Sequence, residues 1–190
     1  STRKESSAAS DVYKRQVFYR FLEGVLVMRL NVPISVRYGE TDMMGVVYHA
    51  NYILYFEDAR EKYLAELGFP YADLEARGLI SPVLHVECDY GESVRYGDKV
   101  VVQLAVTALK PTKVQFRYKV FDGEEIDLDE VKPFATGMSE HCLIRRDDFK
   151  PVSMKKAVPE LYERYKAALE PDYQCCLLYT SPSPRDTERS

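Results

Sequence analysis

The 190-residue chain has no tryptophan, three histidines, four cysteines and no surplus of basic residues; 26 Lys and Arg face 30 Asp and Glu, a net charge of −4. Each shortage excludes a class of protein. A nucleic-acid binder normally presents a basic surface, and this chain is acidic. Four cysteines are too few for a disulfide scaffold of this length. No apolar run approaches the roughly 18 residues that a membrane-crossing helix needs. His49, His85 and His141 lack any ligand spacing such as HExxH, so neither a metal nor another cofactor is expected. Cys88 and Cys142 lie far apart with no CxxC, which reads as reduced thiols in a cytoplasmic protein. What is present is a 46% apolar share and 12% aromatics, enough for the core of one domain and too much for a disordered chain.

The two ends differ from the middle. Ser6-Ser7-Ala8-Ala9-Ser10-Asp11-Val12-Tyr13-Lys14-Arg15-Gln16 resembles the in-frame translation of a sequencing adaptor, and Cys176-Leu177-Leu178-Tyr179-Thr180-Ser181-Pro182-Ser183-Pro184-Arg185-Asp186 resembles the opposite adaptor. Residues 1–16 and 176–190 are therefore set aside as non-native tails that should pack against nothing. Residues 17–30 read as a lead-in, apolar but without the charged start and cleavage site of a signal peptide, and Met28 is a candidate initiator.

In the native part, Val32, Ile34, Val36 and Tyr38 alternate with polar residues and predict a strand. From about Tyr48 to Leu67 the period lengthens. Tyr52, Phe56, Ala59, Tyr63 and Leu67 form one helical stripe, while Glu57, Asp58, Arg60, Glu61 and Lys62 fill the polar positions. Gly68 stops this helix, and a short one is expected over Tyr71 to Arg77. Strands then follow around Leu84–Tyr90, Val100–Ala108, Val114–Val120 and Phe134–Ile144. A last helix is expected near Val158–Leu169, within a segment taken as 154–175. Consecutive strands with short connections pair antiparallel, and one long helix must cover a sheet face. The result is an α+β domain over residues 31–153. A homodimer is the natural cover for the remaining sheet surface.

The densest polar segment runs from Tyr38 to Tyr52, between the first strand and the long helix. A helix N-terminus offers unpaired N–H groups and partial positive charge. With a carboxylate just before it, Asp42 acting as base or nucleophile, such a place can polarise and hydrolyse a carbonyl compound. The same residues read equally as structure: Asp42 as a loop or capping residue, His49 as a packed histidine, Asn51 as a partner of the backbone.

The run Tyr38-Gly39-Glu40-Thr41-Asp42-Met43-Met44-Gly45-Val46-Val47-Tyr48-His49-Ala50-Asn51-Tyr52, with Tyr55-Phe56-Glu57, Ala59-Arg60, Ser93–Asp98 and Ala135-Thr136-Gly137 through His141, resembles the hallmark of the 4-hydroxybenzoyl-CoA thioesterase-like family. That resemblance covers roughly Pro33 to Val152. It implies a hotdog fold, a five-stranded antiparallel sheet wrapped around one long helix, in a homodimer or tetramer. It implies an acyl-CoA thioesterase acting on a small acyl- or aroyl-CoA, with Asp42 catalytic and His49 beside the thioester. Gly45, Val46, Val47, Tyr48 and Asn51 are then substrate-binding candidates, and Arg95, Lys110 and Lys113 are candidates for the coenzyme A phosphates. Two other readings stay open: a thioesterase for acyl carrier protein, and a non-catalytic acyl-binding hotdog dimer.

Overall fold

The computed structural model describes residues 17–22, 25–123 and 131–173, with side chains from residue 29 onward. Strands β1 (Val17–Leu22) and β2 (Val25–Ser35) lead into the helix α1 (Asn51–Glu66). A short helix α2 (Tyr71–Ala76) and strand β3 (Leu79–Ile80) follow, then β4 (Val83–Tyr90), β5 (Lys99–Lys110), β6 (Lys113–Asp122) and β7 (Ala135–Cys142). The described chain ends with β8 (Ile144–Arg145), α3 (Met154–Ala157) and α4 (Pro159–Ala167). The main sheet has the order β1-β2-β5-β6-β7-β4 and is antiparallel throughout, while β3 and β8 make a separate two-stranded pair.

The five expected strands are all in this sheet, and a sixth joins them. Residues 17–22 do not merely lead in but pair with β2, Tyr19 opposite Met28. The run Val17 to Leu22 is apolar except for Arg20, so period-two alternation, the usual strand signal, is nearly invisible there. The expected strand to Tyr38 ends at Ser35 instead, and Tyr38–Glu40 form one turn of 3-10 helix. The last expected strand splits at Leu143, β7 staying in the main sheet and β8 leaving to meet β3. The adaptor-like segments 1–16 and 176–190, and the acidic stretch 124–130, lie outside the described residues.

Register explains the core. Leu30 of β2, Leu104 of β5, Tyr118 of β6 and Gly137 of β7 stand in one row across the sheet, on the face that α1 covers. Phe56 of α1 lies flat on Tyr118, its ring occupying the space a side chain at 137 would need: a Cβ on Gly137 would come within 2.3 Å of Phe56. Tyr52, Phe56, Ala59, Tyr63 and Leu67 are all buried, as their spacing predicts. Arg60 is the exception to the pattern. Expected among the solvated charges, it is only 5% exposed, its guanidinium over the Tyr71 ring and 3.9 Å from the Glu57 carboxylate.

Residues 169–173 cover part of the other face. After α4, Leu169 bridges to Val106, Glu170 pairs with Arg29, and the Tyr173 hydroxyl donates to Gln103 at 2.9 Å. Gln103 in turn donates to Asn31, so one polar network ties β2, β5 and the C-terminal segment together.

Candidate active site

The segment between β2 and α1 is a small hairpin. The Asp42 N–H donates to the Val46 carbonyl at 3.0 Å, Thr41 bridges to Val47, and the Tyr48 N–H donates to the Glu40 carbonyl at 2.8 Å. Its tip is a tight turn, with the Gly45 N–H on the Asp42 carbonyl at 2.9 Å. Gly45 has φ +71°, a conformation that costs a residue with a Cβ roughly 1–2 kcal/mol. The half-buried Asp42 carboxylate accepts the Met44 N–H at 2.8 Å, an Asx turn that fixes its direction.

Four residues after Val47 of that bridge, α1 begins. The N–H groups of His49 and Ala50 donate to no protein acceptor among the described residues. They are the electropositive, unpaired groups expected of a helix start. The exposed His49 ring lies against Tyr48, with centroids 4.2 Å apart, and its carbonyl accepts the Tyr90 hydroxyl from β4 at 3.1 Å. Burial and the neighbouring Cys88 push the Tyr90 hydroxyl pKa up to about 12, so it stays a donor. Asn51 donates its side-chain amide to the Glu40 carbonyl at 2.7 Å, making it a brace for the hairpin.

Glu40 lies within the recognised motif, but sequence reasoning gave it no role. It is 8% exposed, and its carboxylate accepts the Tyr55 hydroxyl at 2.8 Å, the Arg37 N–H at 2.8 Å and the Arg37 Nε at 2.7 Å. Burial alone would raise its pKa, but the bonds from Arg37 and Tyr55 outweigh burial and hold the carboxyl below its ordinary range. The same arrangement raises the Tyr55 pKa, burial first and the facing carboxylate second. The sequence signal was the spacing Arg37-x-x-Glu40 directly before Asp42, hidden among other charges.

The three candidate cations do not meet in one chain. Arg95 stands at the hairpin, its Nη1 3.4 Å from the Gly45 carbonyl, with the nearby loop held by the Val47 N–H on the Val94 carbonyl at 2.8 Å. Lys110 and Lys113 flank the β5–β6 turn at the far end of β5, roughly 36 Å from Lys99 at 3.3 Å per residue. There Lys113 pairs with Glu140 at 2.6 Å. Among the described residues no group of three or more His, Cys, Asp or Glu is placed to hold a metal.

A family model for the thioesterase-like superfamily matches residues 36–163, which spans the hairpin, α1 and strands β3 to β8. The chain belongs to that superfamily. "Putative acyl-CoA thioesterase YneP" of Bacillus subtilis (strain 168) is 35% identical over 135 residues, 71% of this chain and 94% of that protein. The 1,4-dihydroxy-2-naphthoyl-CoA hydrolase of Synechococcus elongatus is 30% identical, over 57% of this chain and 76% of its own length. Among solved structures, the DHNA-CoA thioesterase from Staphylococcus aureus superposes with a TM-score of 0.67 at 36% identity, covering 73% of this chain and 89% of that one. The thioesterase described here is thus a thioester hydrolase with the hotdog fold. No helix among its described residues is long and apolar enough to cross a membrane.

Proposed function

We propose that this thioesterase hydrolyses a small acyl- or aroyl-CoA to the free acid and coenzyme A, with Asp42 as general base or nucleophile. What supports this reading is an Asp42 carboxylate oriented by the Met44 N–H and, where the same hairpin passes into α1, His49 and Ala50 N–H groups that have no acceptor among the described residues. The thioester carbonyl oxygen, gaining negative charge as water or Asp42 attacks, is held by the His49 and Ala50 N–H groups. His49 lines the thioester position, and Gly45 to Tyr48 with Asn51 shape the approach. If Asp42 acts as base, it takes a proton from water as the hydroxyl bonds to the carbonyl carbon; collapse then expels the coenzyme A thiolate. If Asp42 attacks directly, a mixed anhydride forms and water cleaves it. Arg95 is the cation assigned to a coenzyme A phosphate, whereas Lys110 and Lys113 would have to act from a second chain.

The working unit in this reading is a homodimer joined along β4. That strand is the last of the sheet, and Val83, Leu84, Val86 and Tyr90 on it are 38–52% exposed. Antiparallel pairing of two β4 edges brings the Tyr90 end of one strand, beside His49, to the Val83 end of the other. Next to that second end lies a cavity of about 280 Å³ lined by Arg60, Tyr71, Leu74, Leu79 and Ile80. Its apolar wall and buried Tyr71 hydroxyl, which has no hydrogen-bond partner among the described residues, suit the acyl group.

Free thiol released from a panel of acyl-CoA thioesters is the direct test. Asp42→Asn should lower kcat about 100- to 10,000-fold, the usual loss for a positioned base. Equal rates in variant and wild type would remove Asp42 from the chemistry. A wild type inert on every acyl-CoA but active on acyl carrier protein thioesters would favour the carrier-protein reading. Inertness on both would favour a non-catalytic acyl-binding dimer.

A further inference from the structure

Both ends of the Asp42 hairpin are tied to a single residue. The main-chain carbonyl of Glu40 accepts from Tyr48 and Asn51, where the hairpin passes into α1. Its side-chain carboxylate accepts from Arg37, where the chain leaves β2, and from Tyr55 on the first turns of α1. Thr41, the one residue between Glu40 and Asp42, has its hydroxyl on the Tyr38 carbonyl at 2.9 Å and so cannot absorb a shift of Glu40 by rotating freely. Tyr55 is itself buried in the face of α1 that packs on the sheet. The line from core to hairpin therefore runs Tyr55, Glu40, Thr41, Asp42.

We propose that Glu40 is a positioning residue for thioester hydrolysis, whose carboxylate clamps the hairpin to α1 and so sets where the Asp42 carboxylate stands relative to the His49 and Ala50 N–H groups. The inference rests on the assignment of Asp42 as base or nucleophile. A buried carboxylate with three donors is a stiff tether, because each bond is charge-assisted and its donors come from two elements. Removing it frees the hairpin by the small distances to which attack geometry is most sensitive; a displacement of about 1 Å can cost on the order of 100-fold in rate.

The test is a cycle of Glu40→Gln and Asp42→Asn, with kcat and KM measured for each single variant and for the pair, on the same acyl-CoA. Glu40→Gln has nearly the same shape but cannot accept from all three donors. In the wild-type background it should lower kcat about 10- to 100-fold with KM nearly unchanged. In the Asp42→Asn background it should lower the residual kcat no further, because there is no carboxylate left to position. Tyr55→Phe, which removes one hydroxyl and no bulk, should reproduce a smaller part of the same pattern, and decides the matter should Glu40→Gln fail to fold. A full kcat for Glu40→Gln overturns the proposal. So does an equal fold-loss in both backgrounds, since Glu40 would then act on stability or on substrate rather than through Asp42. An Asp42→Asn protein as active as wild type marks the different failure, that of the Asp42 assignment itself, and takes the proposal with it.

Discussion

Phe56 stacks on Tyr118 with ring centroids 4.4 Å apart and 13° between the planes, and it does so over the bare backbone of Gly137. This contact fixes how closely the long helix approaches the sheet, and hence the height of the helix start at which the site is built. Gly137→Ala forces a methyl into space that the Phe56 ring fills. The expected cost is about 1–3 kcal/mol, the range for overpacking a dense core, read as a lower urea midpoint with an unchanged slope. A variant as stable as wild type would show that α1 can lift without penalty.

His141 predicts how stability follows pH. It is 1% exposed, with Nε2 2.8 Å from the Ser139 hydroxyl and Nδ1 without a hydrogen-bond partner among the described residues. Burial first, and the positive charge of Arg60 second, lower its pKa to about 3. An unfolded chain binds that proton near pH 6.5, the folded one not until about 3, so the unfolded state gains protons first and folding weakens as pH falls through this window. The loss attributable to His141 between pH 7 and pH 5 is about 2 kcal/mol. His141→Gln, which cannot titrate, should flatten the stability profile there by that amount. The same slope in both proteins would assign the pH effect elsewhere.

Val86 reports on the β4 edge. It lies on the sheet face toward α1 but at the outermost strand, 38% exposed. In a dimer joined along β4 this side chain is covered by the partner. Val86→Glu should leave the monomer fold intact, shift the sedimenting species to half the mass, and lower thioester hydrolysis with it. A variant that remains dimeric at micromolar concentration would place the interface on another surface.

Much of this architecture was legible before any coordinates. The alternation at Val114, Phe116, Tyr118 and Val120, and the stripe from Tyr52 to Leu67, specify elements that the fold contains where expected. Such residues are legible because burial acts on every second or every third-to-fourth position, and composition records that. Arg60 was misplaced for the same reason: a charge next to Ala59 counts as polar by pattern. Only the tertiary structure supplies the Tyr71 ring over which its guanidinium lies. β1 escaped notice because its side chains hardly alternate. The hairpin around Asp42 stood out through its glycine and its density of polar groups. The weight carried by Glu40 did not, since its partner Tyr55 lies fifteen residues away and looked like one more core aromatic.

Arg29 and Glu170 form a buried ion pair across 141 positions of the chain. A ribosome making this protein must therefore translate past residue 170 before the guanidinium in the second strand meets its counter-charge. The pair thus joins a strand made early in synthesis to a segment made more than a hundred residues later.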